Sequence, residues 1–156
     1  MTIKKKEIYR KPPFSEEAEM AVLGSILIDV DAANKSMQFL KSDDFYDKKH
    51  QLIYIGLAEL FNNNNNIDYV SLIEQLTKDK TLKESGGTYY ITGLTNSAPS
   101  AQNIDYYANI VKEKSMLRNI ITVAKDISEE AYDNKEELAN ILDKAEQSLF
   151  TLSQDS

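Results

Sequence analysis

The sequence has no cysteine, no tryptophan and only one histidine among its 156 residues. Without cysteine, the chain has no disulfide framework, no Cys-type zinc site and no thiol nucleophile. This composition fits the reducing cytosol, where disulfides are rare. The remaining composition, with 42% apolar and 28% charged residues, is that of an ordinary globular protein with a core of its own.

Long hydrophobic runs are also missing, and so is an excess of positive charge. No apolar run approaches the roughly 20 residues that span a bilayer, and the N-terminus lacks the layout of a signal peptide. The net charge of −7 argues against nucleic-acid binding over the whole surface, because phosphate contacts need clustered Lys and Arg. Residues 1–11 are the exception, with Lys4, Lys5, Lys6, Arg10 and Lys11. We predict a flexible basic tail there, with an arm that binds nucleic acid or a partner as the alternative.

Motifs of catalysis and cofactor binding are absent as well. None of the five glycines lies in GxGxxG or in GxxxxGK followed by Ser or Thr. The only histidine lies in the spacing Asp44-x-x-Asp47-x-x-His50, which has the ligand types of a metal site. A zinc site needs three or four ligands of defined spacing, whereas carboxylates at the start of a helix are usual caps. We predict no catalytic residue, cofactor or metal, with a hydrolase or metal enzyme around these three residues as the alternative.

The stretch PPFSEEAEMAVLGSIL, residues 12–27, predicts a buried first helix. Proline is tolerated just before a helix, Ser15 is a good N-cap, and the three glutamates that follow suit the positive end of the helix dipole. From 21 to 28 nearly every face is apolar, which indicates burial on all sides. Gly24 costs on the order of 1 kcal/mol relative to alanine in such a helix, so we expect a neighbouring helix to approach closely there.

Four further helices are predicted before the last third of the chain. Asp31 is expected to cap the second helix, and the third is expected to run over 42–61. The five asparagines 62–66 predict a loop, because asparagine favours turns. Asp68 is expected to cap the fourth helix, and the pair Gly86-Gly87 to precede a short fifth one.

Two smaller patterns complete this part. The tyrosine pairs at 89–90 and 106–107 are predicted to pack in the core rather than to stack on bases. The segment NSAPSAQN, residues 96–103, predicts a connector in which Pro99 ends the preceding element. No alternating pattern of strand length occurs, so the predicted fold class is all-α.

The last third predicts an antiparallel helical hairpin. Its helices are expected over 103–132 and 136–152, after a globular helical subdomain over 12–98. At 100° per residue the first of these helices carries an apolar arc of roughly 160°, which is wider than the seam between two helices. We therefore expect the first subdomain, another copy of the chain or a different protein to cover the arc.

Four ordered sequence blocks resemble one protein family. They are PPxxxEAExxVLGSIL at 12–27, DFYxxxHQxIYxxLxxL at 44–60, IDxVxLxxxL at 67–76 and GGxxYIxxLxxxxPSAxNIxYYAxIVxEKSxLRxxI at 86–121. With these blocks the chain resembles the N-terminal domain of the DnaB-type replicative DNA helicases of bacteria. The likeness covers nearly the whole chain from Pro12 onward, and the asparagine run and the N-terminal extension are its departures.

The resemblance implies a non-catalytic assembly and docking domain that acts in DNA replication. In this family a linker helix and a motor that binds ATP and Mg²⁺ follow the domain, and no residue here matches them. The sequence ends at Ser156, about where the linker should begin, so we expect a truncated helicase or a separate N-terminal domain. The implied location is the bacterial cytoplasm at the replisome, with DNA bound only through the full-length protein and no contact with membrane.

The resemblance also implies partners. Hairpins of two copies pair, and three such dimers form a hexameric collar. The expected dimer contacts are Leu117, Ile120, Ala124, Leu142, Ala145 and Leu149, with packing inside one hairpin as the alternative for each. The collar binds the helicase-binding domain of primase and, in some systems, a helicase loader. The expected primase contacts are Glu17, Tyr90, Arg118 and Ile121.

Two other functions stay open at this point. A stand-alone helical adaptor derived from such a domain would regulate the primosome, and a gene that continues into a phosphate-binding loop would argue against it. Direct binding of single-stranded DNA through the basic tail predicts a steep salt dependence that disappears when residues 1–11 are deleted.

Overall fold

The computed structural model describes residues 10–98 and 103–155, and within them the chain is all-α, with no strand. The α-helices are α1 (Glu16–Ile28), α2 (Val30–Phe39), α3 (Lys48–Asn62), α4 (Tyr69–Lys78), α5 (Gly87–Leu94), α6 (Ile104–Asp133) and α7 (Leu138–Gln154), with 3-10 turns at Ser42–Asp44 and Thr95–Ser97. A compact helical part is followed by a C-terminal antiparallel hairpin, as predicted. Most of the basic tail and Pro99 of the connector lie outside the described residues.

Helix α1 lies at the centre of the core, as its apolar run predicts. Ser15 caps it by accepting the N–H of Ala18 at 3.1 Å, and nine of its thirteen residues are buried. Gly24 lies against the backbone of Leu94, so close that a Cβ would collide with the carbonyl oxygen. The predicted close approach is confirmed, and the neighbouring group is the end of α5.

Helices α1 and α2 share a single connecting residue, Asp29. Its backbone is extended, with φ −147°, and its side chain accepts the N–H of Asp31 at 2.9 Å. The prediction that Asp31 caps α2 is therefore wrong, and Asp31 lies in the first turn of the helix. The reason is that one extended residue both ends α1 and begins α2, which leaves no longer loop between them.

The single helix predicted over 42–61 is also wrong. The chain forms a 3-10 turn at Ser42–Asp44, runs extended through Phe45, and begins α3 only at Lys48. Phe45 is fully buried in the core, and the carboxylate of Glu19 accepts the two backbone N–H groups that follow it. These long-range contacts hold the chain extended where local helix propensity alone would continue the helix.

The turns around α4 and α5 follow their sequence signals. Asp68 caps α4 by accepting the N–H of Ser71 at 2.8 Å. The asparagine run forms the connection before it, where Asn64 takes a left-handed φ of 55°. Gly86 takes φ 96° immediately before α5, a conformation that favours glycine. These three predictions are confirmed.

Only one tyrosine of each predicted core pair packs inside. Tyr90 and Tyr107 pack against the core, whereas Tyr89 and Tyr106 are 93% and 64% exposed. The prediction of core packing is therefore wrong for Tyr89 and Tyr106. Neighbouring residues of a helix point about 100° apart, so the two members of a pair do not share one buried face.

Helix α6 is shared between the core and the hairpin. Its first half buries Ile104, Ala108, Val111 and Ser115, and none of its described residues after Ser115 is buried. Asn134, with a left-handed φ of 47°, ends α6, and α7 then packs back along it. Among the described helices, none combines the length and apolar character that crossing a membrane requires.

Candidate docking surfaces on the hairpin and at its base

Helix α7 packs against α6, yet none of its seventeen residues is buried. Its half-buried residues recur at spacings of three and four, at Ile141, Ala145, Ser148 and Leu152. This spacing places them on one stripe of the helix. We infer that this stripe faces α6 and that the other sides of α7 are left to solvent.

A second apolar stripe on each hairpin helix is exposed. It consists of Leu117, Ile120 and Ala124 on α6 and Leu138, Leu142 and Leu149 on α7, with exposed fractions from 39% to 71% for the larger side chains. On α6 the half-buried residues at this spacing are Val123 and Ile127. On each helix the exposed stripe is rotated by roughly 70° from the half-buried residues. Because the helices are antiparallel and both right-handed, the two stripes fall on the same side. We call these six residues the hairpin face.

Five of the six residues predicted at a dimer interface belong to the hairpin face. Ala145 does not, because it is half-buried in the stripe toward α6. For Ala145 the structure favours the alternative, which is packing within one hairpin. Leu138, 71% exposed, belongs to the hairpin face but not to the predicted dimer contacts, and its spacing of four residues from Leu142 is the signal of a shared stripe.

Arg118 fastens the base of the hairpin to the core. Its Nη1 donates to the carbonyl oxygen of Pro13 at 2.8 Å and its Nη2 to that of Asp44 at 2.7 Å. Its guanidinium also lies 5.5 Å from the ring centroid of Tyr46. Burial lowers the pKa of Arg118, while the nearby charges of Glu19 and Asp44 oppose that shift. Arg118 therefore has a structural role of its own, which its sequence position alone did not indicate.

A chain of hydrogen bonds leads from beside Arg118 to Tyr90. Tyr46 donates its backbone N–H to Oε2 of Glu19 at 2.8 Å, and Oε1 of Glu19 lies 2.8 Å from Nδ1 of His50. Nε2 of His50 lies 2.6 Å from the hydroxyl of Tyr90. Since Glu19 and His50 are 1% and 0% exposed, this polar chain passes through the core.

The four residues predicted to contact primase differ in their exposure to solvent. Glu17 and Ile121 are exposed, whereas Tyr90 and Arg118 are half-buried. The chain of contacts through Glu19 connects Tyr90 with Arg118, and Ile121 follows Arg118 by one turn of α6. We call the four predicted primase contacts, Glu17, Tyr90, Arg118 and Ile121, the docking surface.

The three residues of the alternative metal site have separate roles. Asp47 caps α3, Asp44 accepts a hydrogen bond from Ser115, and both ring nitrogens of His50 are engaged as described above. In the part of the chain that the structure describes, no cluster of three His, Cys, Asp or Glu residues has metal-binding geometry.

Sequence reasoning missed that Glu19 and Asp44 are buried carboxylates. Their positions near helix starts suggested caps and dipole partners, yet they are 1% and 7% exposed. A signal was present for Glu19, which stands three and four residues before Val22 and Leu23 and so shares their buried face. For Asp44 we find no local signal, because its partners come from α6.

Comparison with known proteins agrees with this architecture. Residues 11–113 match the model of the family described as the DnaB-like helicase N-terminal domain. The replicative DNA helicase DnaC of Bacillus subtilis is 39% identical over 145 residues, which is 93% of this chain. The replicative DNA helicase DnaB of Geobacillus stearothermophilus is 36% identical over 145 residues. The chain spans 32% of the length of each of these relatives.

Solved structures share the fold. The N-terminal domain of the DnaB helicase from Mycobacterium tuberculosis has a TM-score of 0.85 and 30% identity, covering 90% of this chain and 99% of that one. A structure described as a DnaB-like replicative helicase and its interactions with primase has a TM-score of 0.74 and 27% identity, covering 88% of this chain and 31% of that one.

Proposed function

The chain belongs to the family of DnaB-like helicase N-terminal domains, and we propose that it is a non-catalytic assembly and docking domain of a replicative DNA helicase. The observation that carries this proposal is the hairpin face, an apolar stripe on two helices that the single chain leaves exposed. Exposed contiguous apolar surface of this kind marks protein interfaces. In this proposal the full-length protein supplies the motor that binds ATP and Mg²⁺, binds DNA, and acts in the cytoplasm at the replisome.

The first proposed partner is a second copy of the chain. In a twofold dimer the same surface meets itself, so an apolar stripe is complementary to its own copy. Charge favours antiparallel pairing of the two hairpins. Segment 125–137 at the tip carries six carboxylates and two lysines, and parallel pairing would bring two such tips together.

Antiparallel pairing places each acidic tip beside the base of the other hairpin. That base carries Lys112 and Lys114 on α6, with the single carboxylate of Glu113 between them, which is a better electrostatic match than a second tip. Three such dimers would complete a hexameric collar. The globular parts, together with the flank of α6 that carries Arg118 and Ile121, would then hold the surfaces for other proteins.

The second proposed partner is primase, bound at the docking surface. One relative of known structure, 27% identical to this chain, is described together with its interactions with primase. The docking surface here combines an aromatic ring, an arginine and an exposed isoleucine, and aromatic residues and arginine are enriched at interfaces. A helicase loader is the other protein that we propose for the collar.

The test is a titration of the chain with the C-terminal helicase-binding domain of the cognate primase. Calorimetry measures binding, and light scattering measures the mass of the chain in the same buffer. We expect saturable binding with the chain at the mass of a dimer or more. If the chain is a folded oligomer that does not bind the primase domain, the proposed assembly stands and the proposed primase docking is rejected. If the chain is a folded monomer that does not bind, both the assembly and the primase docking are rejected, and the stand-alone adaptor is favoured.

A further inference from the structure

His50 belongs to neither surface, yet it is fully buried with both ring nitrogens engaged. Nδ1 lies 2.8 Å from Oε1 of Glu19, and Nε2 lies 2.6 Å from the hydroxyl of Tyr90. The three side chains come from α3, α1 and α5. Rotation of the imidazole would leave buried polar atoms unpaired, so these partners fix the ring in place.

The carboxylate of Glu19 sets the positions of the protons. Its Oε2 accepts the backbone N–H of Tyr46 at 2.8 Å, and its Oε1 accepts that of Asp47 at 3.3 Å. Because a carboxylate only accepts hydrogen bonds, Nδ1 of His50 carries the hydrogen that points to it. In the neutral imidazole Nε2 is then an acceptor, and Tyr90 donates its hydroxyl hydrogen to it.

The ring of Tyr90 is held from two further directions. Gly86 lies so close to it that a Cβ at this position would collide with the Tyr90 side chain. Nζ of Lys49 lies 4.6 Å from the centroid of the ring. Burial, with a smaller effect of three nearby carboxylates, raises the pKa of Tyr90 to about 12, so the hydroxyl keeps its proton at neutral pH.

Tyr89, the preceding residue, offers the contrast. It is 93% exposed, and an exposed aromatic side chain has to be ordered when a partner binds, which lowers affinity. The hydrogen bond between Tyr90 and His50 restricts the Tyr90 ring in the unbound chain. Its orientation depends on a hydrogen bond to a histidine that no partner can touch.

We propose that His50 is a positioning residue of the docking surface: held by Glu19, it fixes the hydroxyl of Tyr90 and so presents the Tyr90 ring to primase in one orientation. This inference rests on the primase docking proposed above. In this inference two buried side chains, Glu19 and His50, help to determine how tightly the docking surface binds primase. Ordering one such side chain in advance corresponds to about threefold to tenfold in affinity.

Removal of the Tyr90 hydroxyl tests the inference. Tyr90→Phe keeps the ring and removes the bond to His50, and we expect the primase domain to bind about threefold to tenfold more weakly by calorimetry. Tyr89→Phe is the matched control, which loses a hydroxyl at an exposed neighbour and should bind as the unaltered chain does. Glu19→Gln is the second variant, expected to weaken binding with Tyr90 itself intact. Circular dichroism and the mass of the oligomer verify that each variant is folded.

The imidazole gives a readout that is independent of affinity. The chain has one histidine, so all imidazole ¹⁵N signals belong to His50, and only Nδ1 and Nε2 have to be distinguished. We expect a protonated Nδ1 in the unaltered chain, and in Tyr90→Phe a shift of the Nε2 signal with Nδ1 unchanged. If these signals change as expected while the affinity for primase stays the same, the inference is overturned and primase docking stands. An unchanged Nε2 signal would also overturn it. If the unaltered chain binds no primase, the docking function and the inference fail together.

Discussion

Ser115, the last buried residue of α6, donates a 2.7 Å hydrogen bond from its hydroxyl to Oδ1 of Asp44, 71 residues earlier in the chain. The other carboxylate oxygen accepts the backbone N–H of Lys41 at 2.8 Å and lies 3.3 Å from Nζ of Lys112. Asp44 is 7% exposed, so these contacts form with little water around them. The carboxylate therefore joins the 3-10 turn to the long helix at the point where the hairpin leaves the core.

The first prediction concerns this carboxylate. Asp44→Ala is expected to lower the free energy of unfolding by about 2–4 kcal/mol, because it leaves buried donors without an acceptor. Urea denaturation followed by circular dichroism measures the loss. Ser115→Ala, the control, removes one of several partners and should cost about 1 kcal/mol. Equal losses in the two variants would contradict a central role for the carboxylate.

The second prediction concerns Arg118, which we propose both anchors the hairpin and contacts primase. Its two bonds go to the carbonyl oxygens of Pro13 and Asp44, a fork that one ammonium group does not reproduce. Arg118→Lys is therefore expected to lower the free energy of unfolding by about 1–2 kcal/mol. Unchanged stability in urea denaturation would contradict the anchoring role and leave Arg118 as a docking residue only.

The third prediction compares two helical glycines of opposite surroundings. Gly24→Ala places a Cβ against the carbonyl oxygen of Leu94, and backbone yields less easily than side chains, so we expect a loss of about 2 kcal/mol or more. Gly93→Ala, the control, places its Cβ in open space and should raise stability by about 0.5–1 kcal/mol. Thermal unfolding measures the stability of both variants. An equal loss of stability in Gly24→Ala and Gly93→Ala would argue against the close contact at Gly24.

The sequence was informative where neighbours along the chain decide the structure. Ser15 and Asp68 cap helices through bonds to residues three positions later, which is a local signal. Gly24 inside an apolar run signalled a close contact without naming the other group. The hairpin followed from helical periodicity, and the stripes that its two helices expose followed from the same periodicity.

The rest depended on contacts between distant segments. The break in the third helix follows from Glu19, whose bonds to backbone N–H groups span 27 and 28 residues. The burial of Asp44 depends on α6, and the role of Arg118 depends on two carbonyl groups far away in sequence. Helix propensity and capping rules concern a few neighbouring residues, so they do not report such contacts.

The fourth prediction concerns alkaline pH. Tyrosines of the unfolded chain lose protons near pH 10, whereas burial first, and then the charges of Asp47, Glu16 and Glu19, raise the pKa of Tyr90 to about 12. The folded chain therefore binds more protons between these values, and its stability falls as pH rises from about 10 to about 12. In Tyr90→Phe we expect a shallower fall of the unfolding temperature over this interval. Tyr89→Phe, which removes an exposed hydroxyl, is the control. A slope in Tyr90→Phe equal to that of the unaltered chain would refute the assignment.

The last prediction concerns the hairpin face. Leu142 and Leu149 are 52% and 54% exposed in the single chain, so an aspartate at either position is compatible with the fold but places a charge in the proposed dimer interface. We expect Leu142→Asp and Leu149→Asp each to weaken self-association by about 2 kcal/mol or more, about thirtyfold, with helix content unchanged by circular dichroism. Gln147→Asp adds the same charge on the opposite side of α7 and should keep the mass of the unaltered chain in light scattering. If all three variants keep that mass, copies of the chain do not associate through the hairpin face. A different protein is then the proposed partner of its apolar side chains.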